Sequence, residues 1–158
     1  MSVVGNEALL PSSWRARPQG FAALMALYES NYLRLARLCG DPAQLKGERV
    51  SQVAASCDLK LTVLEQCAYT TTLGLTHLFH DPATVTPGLA TLLSYPDVRV
   101  RVYCDARLAQ AQHWPVDRPE PFASNPLQAE RELAQRWRYN TMLNKWLEYC
   151  LDLGHCLT

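Results

Sequence analysis

The residues with the clearest capacity for recognition lie between positions 98 and 114. Valines alternate there with Arg99, Arg101 and Tyr103, which is the period-two pattern of a strand with one buried face. Arginine, tyrosine and tryptophan are enriched at binding hot spots. Pairing this strand with the one that follows predicts a candidate binding surface. It comprises Arg99, Arg101, Tyr103, Gln110, Gln112 and Trp114. The alternative is a solvated outer face, because antiparallel sheets often expose one side to water.

A second candidate group combines Glu65, Tyr69 and Thr71, with Arg101 as a further member if the sheet end curls. A carboxylate beside a phenol and a guanidinium could orient a ligand or act as acid and base. The same side chains could instead form a structural network that satisfies a partly buried Glu65. Arg101 cannot comfortably serve both groups, because its place in the alternation puts it opposite the valine face.

Several kinds of chemistry lack their sequence patterns. The chain contains no G-x-x-x-x-G-K-[ST], G-x-G-x-x-G or G-x-S-x-G, which argues against common nucleotide-binding and hydrolase machinery. There is no C-x-x-C pair, and the pairs His77–His80 and His155–Cys156 lack two further ligands at recognisable spacing. We therefore expect no metal, no cofactor and no catalytic residue, and the sequence favours a protein that is not an enzyme.

Length and composition fit one soluble domain of 158 residues, with 48% hydrophobic and 19% charged residues. Fifteen basic residues balance fifteen acidic ones, which argues against nucleic-acid binding because phosphate neutralisation supplies much of that affinity. No signal peptide and no run of roughly 18 apolar residues is present, so a cytoplasmic location with reduced cysteines and no membrane contact is expected. Residues 1–17 are predicted to be a flexible leader, and residues 18–158 a single α+β domain.

The hydrophobic pattern predicts a helix, five strands and a second, long helix. Apolar residues three and four apart mark the first helix from about Gln19 to Leu38, and Pro126 to about Leu153 forms the second. Strands are predicted at 49–55, 59–65 and 69–78, followed by a loop at 80–95 and a hairpin at about 98–114. Short turns imply antiparallel pairing, and two amphipathic helices would cover one face. The predicted fold is a two-layer α+β domain.

The faces of the strands also predict their register. In the first hairpin, a loop of Gln66, Cys67 and Ala68 would place Leu61 opposite Leu73 and Glu65 opposite Tyr69. In the second, a two-residue turn at Asp105 and Ala106 would pair Val102 with Ala109 and Val100 with Ala111.

Three segments together resemble the YqiB-like family of small bacterial proteins, which carry a domain of unknown function. The segments are LTVLEQCAYTTTL (61–73), VRVYCDA (100–106) and WLEYCLDLG (146–154), and the likeness covers roughly residues 22–154. Residues 1–17 and the loop at 80–95 depart from the family pattern. The resemblance implies a fold and a bacterial, cytoplasmic setting, and it implies no activity.

Two functions remain open at this point, beside RNA binding through Tyr103 and Trp114 as stacking residues, against which the balanced charge argues. The first is a non-catalytic binding or adaptor domain that uses the exposed sheet face to hold a protein partner or a second copy of the chain. The second is a domain that senses a small ligand, such as a nucleotide or phosphorylated metabolite, or a small enzyme, built on the Glu65, Tyr69 and Arg101 group.

Overall fold

The computed structural model describes residues 20–54, 56–80, 92–113 and 126–158. Two long helices and six strands make up these parts of the chain, with one short 3-10 turn after the first helix. The elements are α1 (Phe21–Cys39), β1 (Glu48–Ser51), β2 (Asp58–Gln66), β3 (Thr70–His80), β4 (Leu92–Ser94), β5 (Val98–Tyr103), β6 (Leu108–His113) and α2 (Pro126–Asp152). The predicted leader lies outside the described residues.

The first helix owes its position to a stripe of apolar side chains and its end to a glycine. Leu24, Tyr28 and Leu35 are among its buried residues. Gly40 follows with φ 77°, in the left-handed region that favours glycine, and its amide donates to the Ala36 carbonyl at 2.8 Å. This turn at the end of α1 directs the chain from the helix layer toward β1.

The strands form one antiparallel sheet in the order β1-β2-β3-β5-β6, and β4 also pairs with β3. Strand β3 is long enough to take β5 along Thr70–Leu75 and β4 along Leu78–His80 on the same edge. The predicted two-layer α+β fold is confirmed. The predicted loop at 80–95 was wrong at its ends, because His80 completes β3 and residues 92–94 form β4. Three residues are too few to show an alternation.

The predicted register of β2 on β3 was wrong by two positions. Leu61 pairs with Leu75, and Val63 pairs with Leu73. The turn lies later than predicted, because the Cys67 amide donates to the Thr70 carbonyl at 2.8 Å and leaves Ala68 and Tyr69 as the turn residues.

A bulge in β2 accounts for the rest of that difference. The register shifts between Val63 and Glu65, so Leu64 has no partner and Glu65 pairs with Thr72. Glu65 therefore lies on the face opposite to the one occupied by Leu61 and Val63. The prediction that Glu65 ends the apolar face opposite Tyr69 was wrong for this reason.

The second hairpin has the predicted register. Val102 pairs with Ala109, and Val100 pairs with Ala111. Arg107, just before β6, has φ 55°, which lets four residues close the turn. The three valines of β5 are at most 1% exposed, so the valine face is the one that packs under the helices, as predicted.

The core lies between the sheet and both helices. Its largest fully buried side chains include Leu35 from α1, Leu61 from β2, Leu73 from β3, Val100 from β5 and Leu143 from α2. Burying a side chain of this size contributes about 1.5–3 kcal/mol relative to exposure, before the entropy of ordering it. Neither described helix has the length and apolar character that a membrane span requires.

A chain of buried amides fastens the helices to the outer edge of β6. Asn31 and Asn140 are 0% exposed. The Asn31 Nδ2 donates to the Ala109 carbonyl at 3.3 Å and to Asn140 Oδ1 at 3.2 Å. The Asn140 Oδ1 also accepts from the Ala111 amide at 2.8 Å. Two outward backbone groups of this edge strand, the Ala109 carbonyl and the Ala111 amide, are thus satisfied by side chains, which obstructs pairing with another strand there.

The same contacts give the direction of the helices. Asn31 meets Asn140 and Asn144, whereas Arg34, one turn further along α1, approaches Glu148 at 4.0 Å. The two helices therefore run in the same direction, and the whole sheet lies between them in sequence.

Candidate functional site

The polar side chains of β5 and β6 form one open face on the side away from the helices. Arg99, Arg101 and Tyr103 alternate with the buried valines. Strand pairing sets Gln110 beside Arg101. We call the set the β5–β6 patch and define it as Arg99, Arg101, Tyr103, Gln110 and Gln112. Trp114, the sixth residue predicted for this surface, lies outside the described residues.

A bulge in β6 brings the Gln112 side chain to Arg101. The register shifts between Arg99 and Val100, which leaves Gln112 without a direct strand partner. With its amide oxygen turned toward the guanidinium, Gln112 accepts from Arg101 Nε at 3.0 Å and from Nη2 at 3.1 Å. The two hydrogen bonds orient the guanidinium plane, and its other N–H groups have no hydrogen-bond partner among the described residues.

The two arginines of the patch have no acidic partner in the described part of the chain. The ion pairs found there are Arg34–Glu148 and Lys60–Glu48, and neither includes a β5 residue. Glu65 is the carboxylate in line with Arg101 across the sheet, but Thr72 of β3 stands between them. Two strand spacings of about 4.8 Å separate their backbones. Among the described residues, the positive charge of the patch therefore has no ion-pair partner.

The Glu65, Tyr69 and Thr71 group does not come together. Glu65 is exposed on the open face and accepts from the Cys67 thiol, with 3.6 Å between Oε1 and Sγ. Tyr69 is 68% exposed in the turn. Thr71 is 1% exposed on the helix side of the sheet, where its hydroxyl lies 3.7 Å from the Cys104 sulfur. These three side chains do not face a common cavity.

The structure also brings together two histidines that the sequence placed in separate pairs, His77 with His80 and His155 with Cys156. His77 on β3 and His155, just after α2, are 6% and 4% exposed, and their ring centroids lie 5.8 Å apart. Burial lowers the pKa of both imidazoles, and His155 lowers the pKa of His77 further. Among the described residues no group of three or more His, Cys, Asp or Glu side chains is placed to hold a metal ion.

Sequence reasoning missed both buried polar groups. Asn31, Asn140 and Asn144 lie inside helices, where asparagine is unfavourable without a reason, and that was the available signal. His77 continues the apolar alternation of β3 after Leu73 and Leu75, so its position indicated a buried side chain. Nothing in the spacing of His77 and His155 indicated that they meet.

These observations define the class of protein as a small two-layer α+β domain with one polar sheet face left open by its helices. The match to a family model then identifies the chain: residues 34–156 match "Protein of unknown function (DUF1249)", and the chain belongs to that family. The match begins within α1 and includes the sheet, the β5–β6 patch and α2.

Curated relatives agree with this assignment. The chain is 28% identical over 135 residues to the "Uncharacterized protein YqiB" of Escherichia coli strain K12, a match that covers 85% of this chain and 90% of the relative. The protein of the same name from Escherichia coli O157:H7 matches equally. No solved structure matches the chain.

Proposed function

We propose that this chain is a non-catalytic binding domain whose β5–β6 patch holds an acidic, extended segment of a partner protein. The observation that carries the proposal is the pair Arg99 and Arg101, two residues apart on one open face, with no carboxylate in ion-pair distance among the described residues. An arginine that is oriented but unpaired is suited to bidentate binding of a carboxylate.

Spacing supports an extended segment. Residues two apart along a strand are about 6.8 Å apart and face the same side. An extended partner with acidic residues at alternate positions has the same repeat, so two of its carboxylates can meet Arg99 and Arg101 together. Gln110 and the half-buried Tyr103 flank the pair and offer hydrogen bonds to the partner's backbone.

The other half of the open face lacks this character. Lys60 of β2 is paired with Glu48 of β1 at 3.4 Å, and Leu64 covers Gly74. The cation of that half is thus paired, and the exposed Glu65 adds negative charge there, which leaves the β5–β6 half as the place where an acidic partner gains most. A small-ligand site built on Glu65, Tyr69 and Thr71 has no comparable support, because the three side chains do not converge.

We also propose that the protein works in the cytoplasm. All six cysteines are free thiols, including the exposed Cys67 and Cys156. Free exposed thiols are typical of reducing compartments.

The test measures binding of a labelled octapeptide that alternates Glu and Thr, with a Gln and Thr peptide of the same length as its matched probe. Fluorescence anisotropy at low ionic strength gives the Kd. We expect Arg101→Gln to weaken binding by about tenfold or more, as loss of a charge-assisted pair does. Arg37→Gln, the same charge change at an exposed site on α1, should alter the Kd less than twofold.

Three results would overturn the proposal. Equal binding of the two peptides would show that carboxylates are not recognised. Preferred binding of a uridine oligonucleotide, with steep salt dependence, would assign the patch to nucleic acid. A dimer in sedimentation that Arg101→Gln dissociates would put a second copy of the chain there.

A further inference from the structure

Residues 155–158 are held against the sheet and α1 by a small number of named contacts. The Ser51 hydroxyl on β1 lies 3.0 Å from His155 Nδ1 and accepts from the Cys156 amide at 3.0 Å. The Leu157 amide donates to the Leu38 carbonyl at 2.8 Å, and Arg49 Nη1 donates to the Leu157 carbonyl at 2.9 Å. Leu157 itself is 2% exposed and belongs to the core. We call this segment the clasp.

The clasp depends on an imidazole with one unsatisfied nitrogen. His155 uses Nδ1 toward Ser51, whereas its Nε2 is buried with no hydrogen-bond partner in the described structure. A neutral ring can leave Nε2 as an unprotonated acceptor at moderate cost. A protonated ring carries N–H groups at both positions and needs an acceptor for each. Protonation in place would therefore bury a charged ring with an N–H at Nε2, where the closed structure shows no hydrogen bond.

The neighbours of His155 offset this cost incompletely. From β3, His77 stands 5.8 Å away, and a second positive charge there would repel the first. From α2, Cys150 Sγ lies 3.7 Å from His77 Nε2, and burial raises the pKa of this thiol to about 12, so it stays neutral. Asp58 at the start of β2 and the Cys57 backbone act in the opposite direction and favour the proton on His155.

The remaining neighbours are uncharged rings and one distant cation. Trp146 and Tyr149 from α2 meet His77 edge-on, at centroid distances of 5.2 and 6.5 Å, and Phe79 of β3 does so at 6.3 Å. Arg49 of β1 reaches the clasp at the Leu157 carbonyl and adds positive charge on this side. For His155 the effect of burial outweighs that of Asp58, so its pKa is lowered overall.

We propose that the clasp is an acid-released device: uptake of a proton by the His155–His77 pair frees residues 155–158 from β1 and α1 while the sheet stays folded. Release exposes Leu157 and the end of α1 beneath it, and this apolar surface is available only in the open form. This device is independent of the β5–β6 patch, which lies on the other face of the sheet.

The sign of the effect follows from the depressed pKa values. Above the ordinary histidine value of 6.5, closed and open forms are both neutral and the clasp has its full stability. As pH falls below 6.5 the open form takes up protons and the closed form does not, so opening becomes more favourable until the closed-form pKa is reached. Between pH 7.0 and 5.5 the opening constant can rise by at most roughly eightfold for one imidazole and roughly seventyfold for two.

Native-state hydrogen exchange on the full chain tests the proposal. The opening constants of the Cys156 and Leu157 amides, corrected for intrinsic exchange rates, are compared with those of Leu73 and Val100 at the core of the sheet. We expect the clasp amides to open at least about 100-fold more readily than the sheet amides and with little response to dilute urea. Their opening constants should rise more than twofold between pH 7.0 and 5.5, up to the larger of the two limits above.

Two variants separate titration from packing. His155→Gln keeps a polar side chain facing Ser51 but cannot titrate, so it should reduce the pH response to that of His77 alone. His77→Gln should reduce the pH response of the opening constant to that of His155 alone. If one of the two variants fails to fold, the other still tests the proposal. Clasp and sheet amides with equal opening constants, or a change of less than twofold between pH 7.0 and 5.5, would overturn the proposal. A pH response as large in both variants as in the wild type would overturn it as well.

Discussion

Buried polar side chains connect both edges of the sheet to the helix side, with different completeness. At β6, the Asn31 and Asn140 amides pair with the Ala109 carbonyl and the Ala111 amide, Asn140 Nδ2 also donates to the Arg136 carbonyl, and Asn31 Oδ1 accepts from Asn144. At β1, Ser51 joins the sheet to His155, and one imidazole nitrogen is left without a partner. One edge is held by neutral amides, whereas the other contains a group that titrates.

The difference separates two roles of buried polar groups: some fix one structure, and others make its stability depend on pH. A buried network whose donors and acceptors are all used fixes one arrangement and does not change with pH. A buried network with an unused imidazole nitrogen can also take up a proton, and the free-energy cost of that protonation depends on pH. The four predictions below test this division, and they run from the largest expected effect to the smallest.

Asn140→Leu removes the central member of the β6 edge. The Ala111 amide and the Asn31 side chain lose their acceptor in a buried site, so we expect the free energy of unfolding to fall by about 2–4 kcal/mol. Urea unfolding monitored by circular dichroism measures the change. Asn144→Ala, at the half-buried end of the same chain, should cost about 1 kcal/mol. Equal costs would mean that the edge contacts carry no special weight.

The pH dependence of stability should belong to the β1 edge. Because both histidine pKa values are lowered, the free energy of unfolding should fall as pH drops below 6.5, by at most ~1.4 kcal/mol per pH unit for each imidazole. Denaturant titrations at pH 7.0 and 5.5 measure this slope. Asn140→Leu should keep the slope and His155→Gln should reduce it; the reverse pattern would contradict the comparison.

Ser51→Ala tests the contact that joins the clasp to β1. The Cys156 amide and His155 Nδ1 lose their shared partner, and we expect a loss of about 1–2 kcal/mol. Thermal or urea unfolding at pH 7.0 provides the value. Ser56→Ala, a change of the same kind in the segment between β1 and β2, should stay within about 0.5 kcal/mol. If both variants cost the same, Ser51 does not hold the clasp.

Arg99→Gln and Arg101→Gln should change stability least. Neither side chain packs in the core, and a surface substitution away from special features stays within about 0.5 kcal/mol. Urea midpoints at pH 7.0 measure the difference from the wild type. A loss above about 1 kcal/mol in Arg101→Gln would make the Arg101–Gln112 contact a structural one and weaken its assignment to binding.

The elements and faces of this fold were predictable because they follow from local patterns. The period of two in β5 predicted which side is buried, and the register of β5 on β6 followed from matching that side to Ala109 and Ala111. The register of β2 on β3 was not predictable in the same way. The bulge at Leu64 moves the residues that follow it in β2 to the opposite face of the sheet. No residue preference in the sequence predicts a bulge at a leucine.

The candidate site was predictable only as a set of residues on one face. Alternation placed Arg99, Arg101 and Tyr103 together, but the contact of Gln112 with Arg101 arises from the register shift in β6. The meeting of His77 with His155 depends on the path of the chain after α2, over a sequence separation that periodicity does not report. Contacts of this kind need the tertiary structure.

The parallel course of α1 and α2 has a consequence for folding kinetics. Asn31 and Asn140 are 109 positions apart, and Asn144 and Asn31 are 113 apart. Closing loops of that length before the intervening hairpins exist is entropically expensive, so the helices dock late. Asn140→Leu should then accelerate unfolding and leave the refolding rate nearly unchanged in stopped-flow chevrons, with a φ-value near zero. The bond that ties the two layers together would thus govern how long the native molecule persists and have little influence on how fast it is made.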